Sequence, residues 1–164
     1  MNYYEFIMEK LEATKKIIWF IEDKGISGKN VAAIFGMEKR SYYSKIAMIK
    51  AKYGNRYFTE MHYFLLLKAY KLHAEKQLEA IVEFCRGEFR QSVRNRINCR
   101  YFLVRFIKLL GIKIRDASAI IGMNYHSARN NDIKISSEQM KQLIAYYKSK
   151  YEREIAEISK ILLG

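Results

Sequence analysis

Two stretches of this chain, "FIEDKGISGKNVAAIFGMEKRS" (residues 20–41) and "FIKLLGIKIRDASAIIGMNYHS" (residues 106–127), align without a gap. Identical residues fall at Phe20/Phe106, Gly25/Gly111, Ile26/Ile112, Ala33/Ala119, Ile34/Ile120, Gly36/Gly122, Met37/Met123 and Ser41/Ser127. Chance does not order matches in this way, and a tandem duplication of roughly 80 residues accounts for it. The repeat constrains the fold strongly, because any structure the first copy adopts must also suit the second. Two units are expected, residues 1–86 and 87–164, with "RGE" (residues 86–88) as the seam.

The repeated element is helical. There is no proline, and the eight glycines stand apart from one another. Long helices accept that composition, whereas sheets built on Pro/Gly turns do not suit it. Apolar periodicity places helices near 3–23, 28–35, 38–52 and 59–84 in the first unit. In the second they fall near 88–110, 114–121, 124–133 and 137–162. Ser136 and Gln139 form a capping-box pattern ahead of the last helix. The expected fold is all-α, two tandem four-helix units.

Within each unit two short helices meet at Gly36 or Gly122. A small residue stands four positions before the glycine (Ala32, Ser118), an apolar residue immediately before it (Phe35, Ile121), and a methionine after it. This pattern resembles the helix-turn-helix of DNA-binding proteins. In that family the small residue allows close helix crossing, the glycine supplies a left-handed turn, and the apolar neighbours anchor both helices. The second copy, "IKIRDASAIIGMNYHSARNNDIKI", is also similar to the Trp-repressor-like DNA-binding domain of bacterial replication initiators. The chain lacks the phosphate loop of their ATPase part. The sequence departs from the helix-turn-helix pattern six residues after the glycine. A branched aliphatic residue is usual there, and Tyr42 and Ala128 occupy the position, so a shorter or differently tilted second helix is expected.

The resemblance implies that the helix after each glycine reads duplex DNA in the major groove. In the second copy its candidates are Asn124, Tyr125, His126, Ser127, Arg129 and Asn130. Asn can bond adenine through two hydrogen bonds, Arg can bond guanine, and Ser can bond base or phosphate. An ordinary solvent-facing helix avoids Ser, Asn and Asp, which compete for backbone hydrogen bonds. The first copy offers Lys39, Arg40, Tyr43, Ser44 and Lys45, residues suited to phosphate and sugar. Two unlike reading helices imply an asymmetric DNA site.

Charge agrees with a polyanionic partner. Thirty Lys+Arg against 17 Asp+Glu give a net charge of +13. Between Arg86 and Arg105 lie six arginines and one acid, Glu88. On a helix, Phe89, Val93, Ile97 and Tyr101 would face the core. Arg90 and Arg94 would flank them on one side, and Arg96 and Arg100 on the other, with guanidinium heads free for phosphate.

Other chemistries find little purchase. The three histidines are scattered, no carboxylates cluster for metal-assisted hydrolysis, and Cys85 and Cys99 form no CxxC pair. No cofactor and no enzymatic activity are expected. The longest apolar run is too short to span a bilayer, and a signal layout is lacking, so a cytoplasmic protein with no membrane partner is expected. Transcriptional regulation is the default role, carried out by a monomer with a pseudo-twofold repeat or by a homodimer. A protein-binding adaptor or an RNA-binding protein would use a similar basic scaffold without specific DNA readout.

Overall fold

The computed structural model describes residues 2–51, 57–87, 89, 99–129 and 134–164. Among these residues every regular element is a helix. In chain order they are α1 (Tyr3–Lys24), α2 (Gly28–Ile34), α3 (Lys39–Lys50), α4 (Glu60–Arg86), α5 (Arg100–Leu110), α6 (Ile114–Ile120), α7 (Tyr125–Arg129) and α8 (Ser137–Leu163).

Local chemistry sets the ends of these helices. α1 opens on a capping box, in which Asn2 Oδ1 accepts from Glu5 N–H (2.8 Å) and Asn2 N–H donates to Glu5 Oε2 (3.0 Å). α8 opens on the expected one. Gln139 N–H donates to Ser136 Oγ (3.1 Å), and Ser136 N–H donates to Gln139 Oε1 (2.9 Å). α4 uses a histidine variant, with Thr59 N–H donating to His62 Nδ1 (3.2 Å). Burial, and then the nearby Lys45 ammonium, hold the His62 imidazole below its usual pKa of 6.5. The ring is therefore neutral at pH 7, and Nδ1 can accept.

The glycines of the repeat close the helices in matched pairs. Gly25 and Gly111 end α1 and α5 at φ 63° and 65°. The next amide then reaches back five residues, from Ile26 to Ile21 O (3.1 Å) and from Ile112 to Ile107 O (3.2 Å). Gly36 and Gly122 do the same after α2 and α6, at φ 64° and 70°. There Met37 N–H donates to Ala32 O and Met123 N–H to Ser118 O, each at 2.9 Å. These are Schellman closures, and glycine is favoured because a Cβ disfavours left-handed backbone.

By its internal packing the chain divides inside α4, well before the 86/87 seam expected from the repeat. One compact unit comprises Met1–Lys71 with Ile161–Gly164, and the other comprises Leu72–Lys160. In the first, Ala13, Ile17 and Phe20 of α1 are buried, as are Val31 and Ala32, Tyr42, Phe58, and Leu66 and Leu67 of α4. Phe58 is fully enclosed, its ring 5.2 Å from Phe35 and 5.5 Å from His62. Its N–H donates to the buried Thr14 Oγ1 at 2.8 Å.

In the second, Phe102, Leu103, Phe106 and Leu110 of α5 form one core with Ala117, Ile121 and Ile135. Met140, Leu143, Tyr147 and Tyr151 of α8 join it, together with Ala74 and Ile81 of α4. Burial pushes the Tyr147 and Tyr151 phenols up to about 12. Ile135, like Phe58, immediately precedes a capped helix. It stands fully buried just before the Ser136 cap, and its carbonyl accepts from Cys99 N–H (2.7 Å).

One expectation needs correction. Within the span placed at 88–110 a helix starts at Arg100, with Cys99 as its N-cap at ψ 16°. The four-residue stripe therefore does not extend to Tyr101. Phe89 is buried, but Tyr101 is 54% exposed, because the core face of α5 is set by Phe102, Leu103 and Phe106. Val93 and Ile97 lie outside the described residues.

Candidate nucleic-acid interface

The first short pair, α2 and α3, is fixed from behind. Ser27 caps α2, its side chain accepting from Asn30 N–H (3.3 Å). Val31 and Ala32 are buried where α2 meets its neighbours, and the Gly36 turn re-aims the chain. Tyr42, six residues after that glycine, is buried and stacks on Phe58 with ring centroids 6.4 Å apart. Ala128, at the same position of the second copy, is also fully buried. The position that departs from the helix-turn-helix pattern thus still anchors the second helix in both copies.

With Tyr42 turned inward, the opposite face of α3 is open. Lys39, Arg40, Tyr43, Ser44 and Lys50 are all exposed, and α3 carries no acidic residue. Tyr43 lies against the start of α2, where any side chain at Gly28 would meet its ring and hydroxyl. That contact holds the phenol beside α2, and the Lys39 ammonium stands 6.0 Å from its ring centroid. Lys45 behaves differently. It is half-buried, with its ammonium 4.9 Å from the Phe58 ring centroid, so much of its stem serves the core. Lys50 was not among the sequence candidates. The absence of acids along "KRSYYSKIAMIK" is the signal that would have found it.

The second pair, α6 and α7, has the same turn and different ties. Buried Ser118 donates from Oγ to Arg115 O (2.8 Å), which keeps its hydroxyl satisfied at the crossing. Asn124 precedes α7, and its Oδ1 accepts from His126 N–H at 2.8 Å. It is the N-cap of α7, which supplies a structural reason for one of the polar residues after Gly122. His126 and Arg129 are exposed and Ser127 is half-exposed. Tyr125 begins the helix. Asn130 lies outside the described residues.

The four arginines read as phosphate contacts do not share one fate. Arg90, Arg94 and Arg96 lie outside the described residues. Arg100 is half-buried, and its Nη2 donates to Ala128 O at 2.8 Å. A cation on a carbonyl near the end of α7 is favourably placed. Arg100 therefore orients α7. Gln142 Nε2 adds a bond to Ile120 O (3.0 Å), tying the end of α6 to α8.

Among the described residues, no three His, Cys, Asp or Glu side chains gather in a way that could hold a metal ion. Cys85 is half-buried and Cys99 buried, and the two are not joined in a disulfide. Also among the described residues, no helix is long and apolar enough to cross a membrane. Comparison with protein-family models, with curated proteins and with solved structures gave no match for this chain.

Proposed function

We propose that this chain is a non-catalytic duplex DNA-binding protein, a transcriptional regulator made of two tandem helix-turn-helix units. In this reading α3 enters the major groove, and α7 is a second, chemically different reader. One observation carries the proposal: a helix behind a left-handed glycine turn, anchored by Tyr42, presents Lys39, Arg40, Tyr43, Ser44 and Lys50 with no acid among them. A solvent-facing helix under no such demand would interleave acids with bases. Lys39, Arg40 and Lys50 supply phosphate contacts, while Tyr43 and Ser44 reach sugar or base edges. In the second unit Arg129 and His126 are the exposed groups able to bond bases. Asn124 contributes through the cap that sets the start of α7.

The test is anisotropy of a labelled random-sequence duplex, titrated at several salt concentrations. Affinity should fall steeply with salt, by about 0.9 in log–log slope for each phosphate neutralised. Lys39→Ala and Lys50→Ala should each remove about one such unit from the slope. Arg129→Ala should instead relax sequence preference among duplexes selected from the pool. Absence of binding at low salt would overturn the reading. A protein partner retained by all three variants would favour an adaptor.

A further inference from the structure

α1 turns two faces in opposite directions. Ala13, Ile17 and Phe20 are buried on one side. Nearly opposite them, Tyr4 is 71% exposed, Met8 48% and Trp19 66%. At 3.6 residues per turn, Tyr4, Met8, Lys15, Trp19 and Glu22 fall within about 60° of arc, with Leu11 and Glu12 at its edges. Solvent-facing helix surface is normally polar. Here it carries the only tryptophan in the chain. Buried Trp and Tyr are the residue types on which protein interfaces most often depend.

Two of the charges on this face, Glu12 and Lys15, lie near the middle of the helix. Lys16 leans toward α4, 3.8 Å from Glu60 Oε1 and 5.9 Å from the Tyr63 ring centroid. Lys15 is left on the outer face. If a second α1 is laid antiparallel, with the twofold axis between Leu11 and Glu12, the aromatic and charged groups nearest its centre find complements. Tyr4 meets the Trp19 of the other copy, and Met8 meets the stem of its Lys15. The Lys15 ammonium then reaches Glu12 one turn away, and symmetry makes this ion pair twice. Such self-complementarity is what a closed twofold interface requires.

We propose that α1 is a homodimerisation helix, pairing antiparallel with the α1 of a second copy through Tyr4, Met8, Leu11, Lys15 and Trp19. This inference is independent of the DNA-binding reading. A pair of single helices is small beside the ~1,200–2,000 Å² of stable interfaces, so the dimer is reversible and concentration-dependent.

Sedimentation analysis of the full chain, from micromolar to millimolar concentration, tests it. The mass should rise from 19.5 kDa toward twice that value, and the Trp19 emission should shift to the blue in step. Trp19→Ala and Lys15→Glu should each hold the chain monomeric with its helical content unchanged. Combining Lys15→Glu with Glu12→Lys should restore the dimer, because reversed charges still face each other across the twofold axis. A chain that stays monomeric throughout overturns the proposal. So does a dimer indifferent to Trp19→Ala and Lys15→Glu, or a double variant that fails to recover.

Discussion

Replacing Gly122 by alanine isolates the energetic cost of the helix–glycine–helix turn. The residue sits at φ 70°, and a Cβ added there meets nothing within 4 Å. No clash contributes, so only backbone strain remains. Left-handed backbone costs an L-residue about 1–2 kcal/mol. Alanine also stiffens the unfolded chain, which offsets about 0.4–1 kcal/mol. The net loss should be about 1 kcal/mol, a fall in Tm of roughly 2–4 °C for a chain of this size. Gly25, Gly36 and Gly111, at φ 63°, 64° and 65° with equally open surroundings, should give the same value. Asparagine visits left-handed backbone more readily, so it should cost less than alanine at all four sites. Thermal and urea denaturation followed by circular dichroism would measure all eight variants. Alanine without effect, or asparagine as harmful as alanine, would refute the strain account.

Three further outcomes follow from single contacts. Thr14→Val removes the acceptor of the buried Phe58 N–H, and should cost about 1–3 kcal/mol by urea midpoint, with Thr14→Ser largely sparing it. His62 titrates below its usual 6.5 in the folded chain. The unfolded chain thus binds more protons in the window below 6.5, and stability should be full above that pH and decline as pH falls through the folded value. Denaturation midpoints measured from pH 7.5 to 5 would show this, and His62→Gln should flatten the curve. Ala128→Leu forces a larger side chain into a fully buried site, and should cost about 1–3 kcal/mol in the same assay.

The parts of the fold legible in the sequence were those governed by local chemistry. Gly36 and Gly122 announce their turns because left-handed backbone selects glycine, and Ser136 with Gln139 announces a cap because the bonds close within one turn. Contacts made at long range were not legible. Nothing local in the sequence marks Phe58 as a core residue. Only the fold brings it to Thr14, 44 residues away, and makes it the centre of a core. The periodicity through Tyr101 misled because four-residue spacing continues across a point where the helix starts afresh at Arg100. At the candidate interface, the exposure of Lys39, Arg40, Tyr43 and Ser44 was readable from their place after the Gly36 turn, while that of Lys50 was not. That Asn124 serves as a cap and Arg100 holds a carbonyl was not, because residue type does not say which partner is in reach.

The division of α4 between two packing units bears on how the chain is made. Its first turns, with buried Leu66 and Leu67, belong with residues the ribosome has already released. Ala74 and Ile81 belong to a core whose other members run from Phe89 to Tyr151. At about 5–20 residues per second, that half of the helix waits roughly 4–15 s for its partners to be synthesised. A chain cut after residue 86 would separate Ala74 and Ile81 from the core they complete.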